Sequence, residues 1–303
     1  MAVNPLTNKP VPPNSNFARA LWAWITASTS QDPLYNDTNS QALINFCGTV
    51  GCNVIFLDIW RYLGGGNWTT ANVTRMKTFI DAASKSGIHV YALAGDVGWG
   101  TNHQWVMKNI VKPVMDYNVM VPNPTQRFDG FILDVEYWTD PNTYPADTHC
   151  PGLCDLVKAI KAVSNLPVGL FAAFFLKDND ESRATITYNG KDAQDGEHFM
   201  DVADFISVGT YRNHSADNQQ DGPGQISLFE PWYDYTSGEG RNFGLFCGSE
   251  TTNVSPSYVT YYGMTKTQME TEHTAISSEF LVTTNASFLG QAVHSYDGWK
   301  AMT

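Results

Sequence analysis

Two acidic residues two positions apart, Asp134 and Glu136 in the run FILDVEYW, are the sharpest chemical signal in this sequence. In an extended strand alternate side chains share a face, so Phe131, Leu133 and Val135 fall on one side and Ile132, Asp134 and Glu136 on the other. The apolar side must meet helices, which leaves the carboxyl pair facing inward. Two carboxyls held side by side raise each other's proton affinity, and a group that keeps its proton near neutral pH can serve as a general acid. Acidic residues at strand ends also cap helices or pair with arginine, so the pair alone does not fix a reaction.

Other chemistry-bearing residues stand where apolar runs end. The second run closes at Asp58, the third at Asp96, the sixth at Tyr211 and the seventh at Glu250, and the eighth passes Tyr296 and Asp297 toward Trp299. Of nine tryptophans, Trp24, Trp60, Trp99, Trp138 and Trp299 lie at or just beyond run ends, where an indole can stack on a pyranose ring as readily as pack a core. Glycoside hydrolysis needs two carboxyls flanking the scissile bond, or one carboxyl and a group borrowed from the substrate. This chain can supply either. The expected catalytic carboxyls are Glu136, Asp134 and Glu250, with Tyr211 at the sixth run's end a further candidate for the site, and the expected substrate-binding set is Asp58, Asp96, Trp24, Trp138, Tyr296 and Trp299.

These residues are carried by eight short apolar runs, at 20–26, 53–60, 89–96, 128–138, 167–176, 204–211, 242–250 and 288–296. Segments of helical period at 73–87, 104–117, 154–164 and 266–280 lie between them, several closed by Gly or Pro. Alternating strands and helices make a single (β/α)8 barrel the simplest topology, with its chemistry at the C-terminal strand ends. An open doubly wound sheet is the rival, but no Gly-rich phosphate fingerprint follows the first run. Residues 1–18, rich in Pro and Asn, read as an extended arm, and 19–303 as one catalytic domain. The stretch 211–224 is the longest expected loop.

The 303 residues carry 18 Lys and Arg against 30 Asp and Glu, a net charge of −12, with no basic patch. Such a field disfavours nucleic acid and polyanionic glycans and tolerates neutral or cationic ones. No stretch approaches the roughly 18 uninterrupted apolar residues of a membrane helix. Cys150 with Cys154, and Cys47 with Cys52, have the spacing of small disulfide loops, while Cys247 sits in an apolar run as a buried thiol. The alternative of zinc at His149, Cys150 and Cys154 lacks a second ligand pair. Asn-x-Ser/Thr sequons begin at Asn36, Asn67, Asn72, Asn213, Asn253 and Asn285. The expectation is a secreted, extracellular monomer without metal or cofactor, whose partner is a polysaccharide or oligosaccharide. No leader opens MAVNPLTNKPVPP, so the form at hand would be mature or recombinant.

The segment DGFILDVEYW resembles the DGxDxDxE segment on the fourth strand of family 18 glycoside hydrolases, the chitinases and endo-β-N-acetylglucosaminidases, with Asp129, Asp134 and Glu136 in matching places. KSGIHVYALAGD occupies the place of that family's third strand, and Tyr211 in VGTYRN that of its sixth-strand tyrosine. Trp299 stands near its strand-eight tryptophan. The resemblance implies that Glu136 protonates the leaving oxygen, Asp134 orients a substrate acetamide acting as nucleophile, and Tyr211 hydrogen-bonds that group, with retention of configuration. The chain departs from the pattern at Ile132, where the middle aspartate is expected, and at Arg212, where the sixth-strand aspartate is expected. An alternative enzyme pairs Glu136 as acid/base with Glu250 as nucleophile, as in retaining barrels that resemble cellulases, although Val135 replaces the Asn that usually precedes their acid. A sugar-binding barrel without catalysis would lack Glu136. A metal-dependent hydrolase using Asp58, Asp96 and Asp134 finds no HxH or HExxH spacing to support it.

Overall fold

The computed structural model describes residues 18–25, 32–140, 148–180, 184–238, 243–281 and 287–303. Every expected run contains a strand: β1 Ala18–Ala23, β2 Val54–Asp58, β3 His89–Ala94, β4 Gly130–Leu133, β5 Val168–Ala173, β8 Phe205–Gly209, β9 Gly244–Glu250 and β10 Phe288–His294. They close in the order β1-β10-β9-β8-β5-β4-β3-β2, a (β/α)8 barrel. Two further strands, β6 Ile186–Tyr188 and β7 Lys191–Ala193, form an antiparallel hairpin after β5. Its turn is Asn189-Gly190, both at positive φ (52° and 77°), the pairing a two-residue hairpin turn demands. The expected arm lies outside the described residues apart from Ala18, which begins β1.

The chain divides into two compact units, Leu21–Gly169 and Leu170–Thr303 with the first twenty residues. In the first, helices α1 (Asp37–Val50), α2 (Thr70–Lys85), α3 (His103–Val106), α4 (Lys112–Met120) and α5 (His149–Val163) alternate with the strands. Asn36 caps α1 by accepting from the Asn39 amide and Gly51 closes it at φ 68°, while Thr69 caps α2. The core of this unit buries Trp22, Phe56, Phe79, Tyr91, Tyr117, Phe128 and Phe131. Each such side chain contributes on the order of 1.5–3 kcal/mol by leaving water.

The run expected as one helix at 104–117 is broken differently. A π-helical stretch, Met107–Val111, joins α3 to α4, and Pro113 follows at once. Proline donates no amide hydrogen and its ring crowds the preceding turn, a conflict the wider π turn accommodates.

The second unit holds α6 (Asp195–Val202), α7 (Gln225–Gly238), α8 (Lys266–Leu281) and α9 (Tyr296–Ala301). An aromatic cluster of Phe229, Phe280 and Phe288, with ring centres 5.0–5.8 Å apart, packs α7 and α8 on β10. The expected loop at 211–224 is free of helix and strand except for one bridge, Asn218 to Gly222.

The two expected disulfides are corrected: all five cysteines are buried thiols. Helix α5 starts at His149 rather than at Cys154, which puts Cys150 and Cys154 one turn apart on a regular helix instead of across a turn. Cys47 and Cys52 are neighbours, yet the Cys52 thiol donates to the Val54 carbonyl at 3.1 Å. Its hydrogen bond to Cys52 and burial drive the Cys47 thiol far above its ordinary value, so it stays protonated.

Candidate functional site

Parallel register sets which residues share an end of the first unit. Asp58 pairs with Leu93 and Ala94 pairs with Leu133, so β2, β3 and β4 finish level. Beyond Leu133 the Asp134 amide donates to the Ala94 carbonyl at 3.0 Å. Gly95 is required there: a Cβ at that position would lie 1.9 Å from the Asp134 carbonyl oxygen. The alternation read from the sequence persists in the burial, with Leu133, Val135 and Tyr137 buried and Asp134, Glu136 and Trp138 half-buried. The carboxyl pair therefore stands on the accessible face of an otherwise apolar segment. A short 3-10 turn, Tyr137–Thr139, follows, in which the Thr139 amide and hydroxyl both donate to the Glu136 carbonyl.

A cavity of about 410 Å³ opens at this end, lined by Trp24, Asp58, Trp60, Ala94, Gly95, Asp96, Trp99 and Trp105. Trp105 lies 5.7 Å from Trp60 and 6.0 Å from Trp99 between ring centres, so the three indoles pack together, with Trp99 itself 4% exposed. Trp60 is 44% exposed. Its ring rests on Gly64 and Gly65, where any Cβ would press on the indole at 3.1 Å. Asp58 accepts from the Trp60 amide at 2.8 Å and the Ile25 amide at 3.2 Å. Burial raises its proton affinity, these two hydrogen bonds oppose the rise, and the charge of Asp32 adds to it. Asp96 is exposed and caps the 3-10 turn Val97–Thr101 through the Gly98 amide at 2.9 Å. Asp58, Asp96 and Trp24 of the expected binding set thus meet in one cavity with Trp60 and Trp99. Trp105 was missed because it opens a run of helical period, where an indole reads as core. Its place beside the polar pair Asn102 and His103 was the available signal.

In the second unit the expected residues are differently placed. Glu250, at the end of β9, is 4% exposed. Its Oε1 accepts from the Thr251 amide (2.8 Å), the Thr252 amide (2.6 Å) and the Thr252 hydroxyl (2.7 Å), and its Oε2 pairs with His294 Nδ1 at 2.7 Å. Burial alone would raise the pKa of Glu250. The hydrogen bond and charge of His294 and the bonds from Thr252 outweigh it and leave the carboxyl below the ordinary value. Tyr211 is half-buried and stacks on Phe171 (6.0 Å, 30°), with His294 6.4 Å away on a tilted plane. His294, which ends β10, was not in the expected set, although a histidine at a strand end is a signal of the same kind as Asp58.

Two expected sugar-binding residues are corrected. Trp299 has no exposed surface and lies in α9 with the Arg19 guanidinium 5.8 Å from its ring centre, so it has no face to offer a substrate. Tyr296 is 6% exposed, and its hydroxyl accepts from Lys300 at 3.1 Å. Both belong to a short helix that turns back over the end of β10, which the sequence could not separate from the strand. Among the described residues no group of three or more His, Cys, Asp or Glu side chains could hold a metal ion, and no helix is long and apolar enough to cross a membrane.

No family model matches the chain, and no curated protein matches it. Solved structures do match. A chitinase from Bacteroides thetaiotaomicron superposes with a TM-score of 0.56 at 10% identity, covering 94% of this chain and 91% of that one. A β-glucosidase 2 from Trichoderma reesei, in complex with Tris, gives 0.57 at 10% identity over 92% and 89%. An exo-β-1,4-mannosidase from an Opitutaceae bacterium gives 0.56 at 10% identity, covering 98% of this chain but 55% of that one. At these identities the shared property is the barrel fold.

Proposed function

We propose that this protein is a glycoside hydrolase acting on a neutral or amino-sugar polymer, with Glu136 donating the proton to the leaving oxygen. The observation that carries the reading is the tryptophan-lined cavity at the ends of β2 and β3, built beside the segment that bears Asp134 and Glu136. Indole faces bind the apolar faces of pyranose rings, and carboxyls such as Asp58 and Asp96 take their hydroxyls. A fold shared with a chitinase, a β-glucosidase and a mannosidase agrees with it. Action on an extracellular polymer by a secreted monomer without a cofactor belongs to the same proposal.

We assign the second catalytic role to Asp134, which would orient and charge-stabilise a substrate acetamide acting as nucleophile, with retention of configuration and with Tyr211 as a further contact to that group. The competing arrangement makes Glu250 a covalent nucleophile. Its ionised state suits that role. Its surroundings do not, since Oε1 already accepts three hydrogen bonds, Oε2 is held by His294, and the residue is almost wholly buried. A carboxylate so engaged is suited to hold the Thr251-Thr252 turn. Ile132, fully buried and paired with Leu93, leaves Asp134 without the second acidic neighbour on its strand that the family 18 segment has.

The test is turnover by Glu136→Gln on chitin, glucan and mannan oligosaccharides. The substitution keeps the side chain's shape and removes the transferable proton, so a loss of about 10²–10⁴-fold in kcat is expected with an unchanged melting temperature. Full activity would refute the assignment. A protein that binds these glycans and hydrolyses none, before and after the substitution, would instead be a sugar-binding barrel.

A further inference from the structure

The cavity at the ends of β2 and β3 belongs wholly to the unit Leu21–Gly169, and its lining holds four indoles and two carboxyls but no lysine, arginine or histidine. Trp60 is exposed and Trp24 and Trp105 are half-buried, so these three present ring surface, with Trp99 behind Trp105. Asp58 accepts from two backbone amides, those of Trp60 and Ile25, and Asp96 from one, that of Gly98. A carboxylate can accept about four such bonds, so both keep capacity for a ligand. Among the described residues neither is paired with a cationic side chain, and Arg61 pairs instead with buried Asp32 at 3.6 Å.

Elsewhere the protein sets its own cations over aromatic rings: Arg75 lies 5.7 Å from the ring centre of Tyr35, Lys191 5.2 Å from Tyr235 and Lys300 5.0 Å from Tyr296. Among the described residues no such cation covers Trp60, Trp99 or Trp105. Indole faces and carboxylates share a preference, since the ring quadrupole and the carboxylate charge both attract a cation. A site built of the two favours an ammonium, with its three N–H donors, over a neutral hydroxyl. The net charge of −12 adds a field of the same sign. Burial raises the proton affinity of Asp58, the amides of Trp60 and Ile25 oppose the rise, and the charge of Asp32 adds to it, so a cation seated there would favour the ionised carboxylate.

We propose that this cavity recognises the protonated amine of an amino sugar, held by Asp58 and Asp96 with the sugar ring stacked on Trp60 and Trp105. This deepens the reading of the protein as a glycan hydrolase and rests on it. It narrows the substrate to a polymer in which some residues carry a free amine. The acetamide assigned to Asp134 and the amine in the cavity would then sit on different residues of one sugar chain.

The experiment is calorimetric binding to the Glu136→Gln protein, which separates recognition from turnover. The probes are the β-1,4-linked disaccharides of glucosamine, N-acetylglucosamine and glucose, which differ only in carrying an ammonium, an acetamide or a hydroxyl at C2. At mildly acid pH and low salt the glucosamine disaccharide should bind about tenfold or more tighter than either neutral probe, the scale of a charge-assisted contact joined to a cation–π one. Added salt should shrink that margin. Asp96→Asn should lower the ratio of charged to neutral affinity severalfold, because asparagine still caps the Val97–Thr101 turn but carries no charge. Asp58→Asn should lower it further, its carboxyl being the more buried, and the double variant should bring it near unity. The ratio is the readout, so a general loss of binding does not imitate the effect, and Asp96→Asn alone decides if Asp58→Asn does not fold. Equal affinity for the three probes, a ratio unchanged in Asp96→Asn, or tighter binding of choline than of the glucosamine disaccharide each overturns the amine site. Hydrolysis of neutral glycans with no amine preference would leave the enzymatic reading standing without it. An intact amine preference in a protein that hydrolyses no glycan would overturn the enzymatic reading and keep the site.

Discussion

The β2–β4 region and the β8–β10 region both end in polar and aromatic residues, but they use them in opposite ways. In the first, Trp60, Trp105, Trp24, Asp58 and Asp96 line an open cavity, and Asp134 and Glu136 are half-buried in the segment that follows β4. In the second, Trp299, Tyr296 and Glu250 are buried and engaged, in turn, by Arg19, Lys300 and the Thr251-Thr252 turn with His294. Similar residue types at similar strand positions therefore differ in exposure. What separates them is the local structure that follows each strand: helix α9 carries Tyr296 and Trp299 inward, and the Thr251-Thr252 turn with His294 engages Glu250.

Three substitutions sharpen that contrast. The largest effect is expected at Trp299→Ala, which removes a fully buried indole and should cost about 3–5 kcal/mol of unfolding free energy in chemical denaturation, with glycan affinity per folded molecule unchanged. Weaker binding without loss of stability would return Trp299 to the site. Next comes Glu250→Gln, which disturbs four hydrogen bonds to a buried carboxylate and should cost about 1–3 kcal/mol. It should also flatten the acid limb of stability. Folding lowers the pKa of Glu250, so its contribution is full above the ordinary glutamate value of 4.5 and is lost as pH falls through that value toward the lower folded one. A variant with the same stability loss at pH 3 as at pH 7 would contradict this. The smallest effect on the fold is expected at Trp60→Ala, within about 1 kcal/mol because the residue is 44% exposed, yet it should weaken glycan binding by about tenfold.

The barrel was legible because hydrophobic runs, helical periods and turn residues agreed along the whole chain. The carboxyl pair was legible for the same reason, since period-two alternation in FILDVEYW survives in the folded burial pattern. What escaped depends on tertiary context. Helix α9 begins directly after β10, so Tyr296 and Trp299 read as strand-end residues although the helix folds them inward. The start of α5 before Cys150, not at Cys154, turned an expected disulfide loop into two thiols on a helix. Trp105 was missed because it falls in a run of helical period; its helix is short and gives way to a π turn, and the residue lines the cavity. The Asn189-Gly190 turn was visible in sequence, but its three-residue strands are too short to register as apolar runs.

The most direct test of where the chemistry lies compares kcat for Asp134→Asn and Glu250→Gln on the glycan that the unmodified protein cleaves, each corrected for the fraction folded. The account predicts that Asp134→Asn loses two or more powers of ten, about the scale of a group acting in the transition state, while Glu250→Gln keeps kcat within about tenfold. The reverse order, with a fluorosugar trapped on Glu250, would contradict it and place the nucleophile at the end of β9.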